Sequence, residues 1–426
     1  MSHRTALAAG LAALSFTAAA TAADQTAPGA GNPYADRIAA ASPRVREAHV
    51  FLVEQAMKIR NVALRAATLD LLRNRGFCIT SRAGVNDAVK SSMLAELGAA
   101  GLINAGDDAS FPGGLKAGVF PAMLDEASAC PHMPMSFDAA PGSSFGSHHG
   151  YPGGLPIHEA NNLRAALGLA EGYRTSYRAA PGQALQDEHG DEDEASGWMK
   201  SPFFIDQDIV IAAPIWHDWA KTLVFQWTAE GQEFKELNFG GTPANGSATG
   251  GHHIISVGES MKRGLPAAFV IAQASAHSNP TLGNEFKVVN WLRAAGILAQ
   301  VDPVKAGYLM QDAKGGFHLP ALRKLAEGFD LAGAGQTNLL PEYTIHNLSD
   351  GDFTFSIPAA GDAALLVAKL APQFGFDPAD TARYNNAYRN PVFANLSQER
   401  ILILYANGGL AAVQAELEAL RARRVF

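Results

Sequence analysis

One segment constrains this chain more than any other. Ile209-Val210-Ile211-Ala212-Ala213-Pro214-Ile215-Trp216 is an unbroken apolar run that ends in His217-Asp218 and continues through Trp219-Ala220-Lys221. Such a run has to be buried, and it takes its polar end with it, so His217 and Asp218 should arrive at a cavity. On a helix the two side chains stand about 100° apart and can meet a common partner on their shared edge. Lys221, three residues on and close to the same face, can hold an anionic oxygen. A chain of 426 residues, 47% hydrophobic and 17% charged, has the material to bury such a segment, and its length predicts two or three domains.

The histidines give that segment company. There are 13, few for this length, yet His148, His149, His158, His217, His252, His253 and His277 bunch in one stretch. Neutral imidazoles suit Mn, Fe, Ni, Co or Zn, and a carboxylate offsets the charge of the cation, so the stretch points to a divalent transition-metal site. His49, His132, His318 and His346 stand alone and read as structural or surface residues, as does His189 within the acidic run 186–197. That run lacks the order of a calcium loop and reads as a solvated connection. Trp216, Trp219, Phe225 and Trp227 read as core.

The order of these motifs resembles the HD-domain metal-dependent phosphohydrolases. The residues that carry the resemblance are Ser147-His148-His149-Gly150-Tyr151-Pro152-Gly153-Gly154-Leu155-Pro156-Ile157-His158-Glu159, then His217-Asp218-Trp219-Ala220-Lys221, Gly251-His252-His253-Ile254 and Ser275-Ala276-His277-Ser278. It is most similar to the branch with a His-His-x-x-x-Gly-Gly-Leu-x-x-His segment before the His-Asp pair, and it spans about a third of the chain. The resemblance implies a helical bundle and a site for one or two divalent ions held by His158, His217, Asp218, His253 and His277. His253 is preferred over His252 because Ile254 follows it. It also implies Lys221 as a ligand for substrate phosphate, with Asp218 and Lys221 as the catalytic pair; His148 and His149, read apart from the resemblance, line the pocket on the substrate side rather than bind metal. The family's late Asp has no counterpart at the matching helix; Glu285, Asn290 and Asp302 are the weak substitutes. The activity implied is hydrolysis of a small phosphate ester such as a nucleotide. A di-iron oxygenase on the same scaffold, or a binding module without turnover, are the alternatives.

The remaining organisation follows from local signals. Residues 1–22 begin with Arg4 as the lone charge, continue as an Ala-rich apolar stretch and end in Ala20-Thr21-Ala22, the order of a secretory signal. A periplasmic or secreted product is therefore expected, in which Cys78 and Cys130 form a disulfide. Closing that loop would constrain the unfolded chain by about 4 kcal/mol. A net charge of -8 argues against duplex nucleic acid or an anionic membrane surface as partner, and no later stretch reads as long and uncharged enough to span a membrane, so no membrane partner is expected. The expected fold class is mainly α: a signal segment over 1–22, a helical region over 23–141, the metal-binding bundle over 142–303, and a C-terminal region over 304–426 with a small β element. Residues 23–41 read as a flexible start, and Ser42-Pro43 as the cap of one long helix ending near Gly76. A hairpin is expected from Tyr343-Thr344-Ile345 and Phe353-Thr354-Phe355-Ser356-Ile357 around Asp350-Gly351.

Overall fold

Helices build the molecule. The computed structural model describes residues 33–177, 205–281, 283–322 and 340–426. Its principal helices are α1 (Pro33–Ala41), α2 (Pro43–Ala56), α3 (Val62–Arg73), α4 (Asp87–Ala99), α5 (Gly154–Tyr177), α6 (Gln207–His217), α7 (Gly251–Lys262), α8 (Ala267–Ala274), α9 (Glu285–Ala299), α10 (Leu340–Ser349), α11 (Phe353–Leu370) and α12 (Gln398–Ala422). Two antiparallel two-stranded pairs complete it: β1 (Asn238–Phe239) with β2 (Thr249–Gly250), and β3 (Met310–Gln311) with β4 (Phe317–His318). The mainly α class is borne out. Residues 1–22, read as a signal segment, the acidic run 186–197 and His189 lie outside the described residues.

The apolar run is α6. Asp206 starts it by accepting from the backbone N–H groups of Asp208 (2.8 Å) and Ile209 (3.3 Å), and every residue from Asp208 to His217 is buried. The Asp208 carboxylate in turn accepts from the Arg60 and Asn61 backbone N–H groups, both at 2.8 Å, which ties the α2–α3 corner to the core. Around α6 stand α5, α8 and α10, while α7 packs along α9. One apolar cluster reaches from Ala35 to Leu420.

Three local expectations need correction. The helix from Ser42 to Gly76 is two helices: Ser42 caps α2 as expected, accepting from Val45 N (3.2 Å), but α2 ends at Ala56 and Asn61 caps α3 by accepting from Leu64 N (2.9 Å). Buried Ile59 sits in the corner between them. Residues 33–41 are not a loose tail but α1, which buries Ala35, Ile38 and Ala39. The expected hairpin is a helix–turn–helix instead. Its apolar alternation is overruled by packing, because Glu342, Ile345, His346 and Ser349 recur at helical spacing and are buried. The small β element of this region is β3 with β4. Cys78 and Cys130 are bonded, their Cα atoms 5.0 Å apart.

Candidate metal centre

Four parts of the chain deliver side chains to one buried point, and a fifth faces it from the C-terminal region. α5 brings His158 and Glu159 in its first turns, α6 ends in His217 with Asp218 capping it, α7 opens with His252, and His277 follows α8. The turn between α10 and α11 contributes Asp350 and Asp352. Two glycines let the first of these parts close. Gly153 has a left-handed backbone (φ 94°), and a Cβ there would stand 2.3 Å from Val45 on α2. A Cβ on Gly154 would stand 1.8 Å from the His149 carbonyl oxygen.

The polar atoms converge on Asp218. Its Oδ2 lies 3.3 Å from both His158 Nε2 and His217 Nε2, and its Oδ1 lies 3.0 Å from His252 Nε2. Lys221 Nζ donates to Asp218 Oδ2 and to the Gly142 carbonyl. Asp350 Oδ1 closes the other side, 3.1 Å from His158 Nε2 and 3.3 Å from His217 Nε2. The ring orientations are set from behind. His217 Nδ1 donates to the Pro214 carbonyl (2.8 Å), which the helix end leaves free, and Nε2 therefore faces the cluster. Glu236 Oε1 holds His252 Nδ1 at 2.5 Å, Thr249 Oγ1 meets His277 Nδ1 at 2.7 Å, and Asp352 Oδ1 lies 3.4 Å from His158 Nδ1.

These residues fit a cation. His217 Nε2, His252 Nε2, Asp218 Oδ1 and both Glu159 oxygens are buried without a hydrogen-bond partner, the condition an ion would relieve. Several groups among the described residues could hold a metal: His158, Glu159, His217 and Asp218; His217, His277 and Asp350; Asp218, His252 and His277; and His148, His158 and Asp352. The first three groups share His217, Asp218 or His277, so they form one continuous centre.

Burial and neighbours sort the titrations. Burial opposes charge on His158, but Asp352, Asp218 and Asp350 outweigh it and hold the imidazole well above its ordinary range. Burial is likewise overcome at His217 by Asp218, Glu159 and Asp350, and at His252 by Glu236 and Asp218, which push it up to about 9. Burial alone dominates at Glu159, raised to about 8, and at His277 and His346, lowered to about 4 and about 3. At Asp218 the imidazoles and Lys221 outweigh burial and keep the carboxyl well below its usual range.

Several expected site residues come together and others do not. His158, His217, Asp218 and His277 meet, with Lys221 beside them. His253 does not face Asp218: its Nε2 meets the Ala274 carbonyl at 3.1 Å, and its ring stacks on His277 at 4.3 Å and edges against Trp291. His252 faces the cavity, and His253, about 100° further round α7, points instead toward α8 and α9. The three late carboxylate candidates are all elsewhere. Glu285 accepts from Leu319 N (2.9 Å), Asn290 donates to Ser247 Oγ (3.0 Å), and Asp302 accepts from Val304 N (3.0 Å) in an exposed turn. Asp350 occupies the place they were expected to fill. His148 lines the cavity, whereas His149 turns away, bonded to Asp352 Oδ2 (3.1 Å) and Tyr151 (3.3 Å).

Glu159, Glu236, His346, Asp350 and Asp352 were missed. His346 was set aside as solitary, yet its ring centroid stands 5.1 Å from that of His217. The available signal was the run His346-Asn347-Leu348-Ser349-Asp350-Gly351-Asp352, a histidine one helical turn before a pair of carboxylates. The centre opens into a cavity of about 500 Å³ lined by His158, Asp218, Lys221, His252, Leu348 and Phe353, among others. A second cavity of about 600 Å³, between α4 and α9, contains none of these histidines. No family model, curated protein or solved structure matches the chain.

Proposed function

We propose that the protein is an exported, HD-type phosphohydrolase that uses one or two divalent transition-metal ions to cleave a phosphate ester. The single observation that carries this reading is the Asp218 carboxylate, buried between three imidazole Nε2 atoms and Lys221 at the wall of a cavity. His158, His217 and Asp218, with Asp350 facing the same two imidazoles, would hold one ion, and Asp218, His252 and His277 would hold a second. Bound there, a divalent ion supplies Lewis acidity toward a phosphoryl oxygen and a water acidic enough to attack near neutral pH.

The chain's own groups do the rest. Lys221, buried and kept charged by Asp218 against the opposing effect of burial, presents a fixed cation to phosphoryl oxygens. Glu236, Thr249 and the Pro214 carbonyl hold His252, His277 and His217 at set orientations, so little reorganisation accompanies binding. The Cys78–Cys130 bond supports an oxidising compartment.

The test is a metal analysis of the purified protein followed by phosphate release from a panel of mono- and diesters. Release that requires Mn, Co, Ni or Zn and stops on chelation is the expected result. Iron with visible absorption and oxygen consumption would overturn it in favour of oxidation, and a metal-loaded protein inert toward every ester would overturn it in favour of a binding module.

A further inference from the structure

We infer that the substrate is a lipid phosphate reached at a bilayer surface, with α11 as the element that lies on the membrane; this rests on the phosphohydrolase reading above. α11 buries Ser356, Ala359, Ala360, Ala363, Val367 and Leu370 on its inner side, where it packs along α12. Its outer side carries Phe353, Ile357, Gly361 and Leu365 at four-residue spacing, and Phe355 is exposed on the other flank of that side. Phe355 is 52% exposed and Leu365 71%, far more than side chains of this kind need be in a protein with room to bury them. At 1.5 Å per residue the stripe from 353 to 365 runs about 18 Å. Asp362 and Lys369 are the charged residues of the whole helix.

The stripe is continuous with the pocket. Phe353 begins it and also lines the cavity, its ring centroid 6.5 Å from that of His148, and exposed Leu348 lines the same mouth from α10. A ligand with its phosphate at Lys221 and Asp218 therefore leaves the cavity over Leu348 and Phe353 onto apolar surface. That path offers apolar contact to a hydrocarbon chain.

A bilayer is the occupant that the composition favours. Pro341–Phe374 is by length and composition apolar enough to cross a membrane, yet only 33% of its most apolar window is buried in the fold. The Asp350-Gly351-Asp352 turn breaks it into two helices and brings the carboxylates to the site, so the apolar length lies along the surface. Interfacial helices bury such a face about 5–10 Å into the headgroup boundary. The net charge of -8 disfavours an anionic surface, which points to a zwitterionic one. This differs from the expectation of no membrane partner, which rested on charge and on finding no later stretch long and uncharged enough to span, and not on where the apolar side chains stand. In the reaction a water oxygen bonds to phosphorus, the phosphorus–oxygen bond to the lipid alcohol breaks, and the alcohol oxygen takes up the proton.

The test uses the full-length mature protein, loaded with metal, on phosphatidylcholine vesicles doped with phosphatidic acid and on water-soluble p-nitrophenyl phosphate. Wild-type protein should sediment with the vesicles and release phosphate from them. The triple variant Phe355→Ser, Ile357→Ser and Leu365→Ser, whose side chains are exposed and outside the pocket, should lose vesicle binding and vesicle hydrolysis by about tenfold or more, at unchanged p-nitrophenyl phosphate turnover. Wild-type protein that stays in solution, or a variant that cleaves both substrates like wild type, overturns the inference. So does a wild-type dimer that the variant converts to monomer without any vesicle binding, which would assign the stripe to a second copy. Vesicle binding that the variant abolishes, with no phosphate released by either protein, upholds the membrane surface and overturns the hydrolase reading alone.

Discussion

Two glutamates, both fully buried, show why burial by itself says little about function. Glu259 on α7 accepts from Thr80 N (3.0 Å), Thr80 Oγ1 (2.9 Å), Ser81 N (2.8 Å) and Arg263 Nε (2.7 Å). Both oxygens have donors, three at Oε1 and one at Oε2, and the carboxylate pins the segment after Cys78 to the helix. Glu159 on α5 is as deeply placed, but neither oxygen has a hydrogen bond, His217 Nδ1 stands off at 3.6 Å, and burial raises its carboxyl to about 8. One carboxylate is a structural node and complete. The other belongs to a set of groups whose partners are not supplied by the protein, and that incompleteness marks the functional region.

The sharpest way to break this contrast is to remove the centre of the incomplete set. Asp218→Ala should strip the protein of metal and cut phosphate release well beyond the 10–100-fold, approximately, that losing an orienting partner costs. Its thermal unfolding should change far less; elemental analysis, turnover and calorimetry read the three. Glu259→Ala should do the opposite. It leaves Arg263 and two backbone N–H groups without their acceptor, at a cost of about 3–5 kcal/mol in chemical denaturation, while any folded fraction keeps its metal.

Smaller effects sharpen the boundary of the set. Asp352→Asn should weaken metal affinity by about 10–100-fold by loosening His158, measured by competition with a chromophoric chelator, whereas Asp302→Asn should leave it unchanged. Affinity should also climb with pH. His158, His217 and His252 must give up protons to bind a cation, and His252 is held up to about 9, so uptake should still be rising between pH 7 and that value. A flat profile in a metal titration would remove the shared centre from consideration. The smallest effect is at His49, which a hydrogen bond to Asp138 holds above its ordinary range while burial opposes it. A raised histidine stabilises the fold below about pH 6.5 and loses that contribution as pH climbs through its folded value. Screening keeps it under about 1 kcal/mol, the difference expected between wild type and His49→Gln in denaturation at low and high pH.

Much of the centre was legible where chemistry and local pattern agree. The apolar run with a polar end predicts both a buried helix and a cavity, and α6 supplies both. Ser42-Pro43 predicts a helix start because a cap and an N1 proline act through neighbouring atoms. What escaped depended on distant packing. The Ile254 that follows favours His253 by resemblance, and only the packing of α7 against α8 and α9 turns His253 away and brings His252 to the cavity. Asp350-Gly351 is an ordinary turn signal for a hairpin, and becomes a ligand-bearing corner only because α10 packs on α5 and α6. The resemblance points to a late ligand on or just after α9, but the ring of partners closes through Asp350 in the C-terminal region.

The tight step at Gly153 and Gly154 carries a consequence for anyone redesigning this protein. Because one glycine abuts Val45 and the other the His149 carbonyl, neither tolerates even a methyl group without moving the start of α5. His158 and Glu159 sit one turn further along that helix. Mutational libraries should therefore record two adjacent blank positions there, while Leu348 and Phe353 stand apart on the cavity lining. Diversity aimed at new specificities belongs on the rim, with that pair of residues left as the fixed hinge pin of the scaffold.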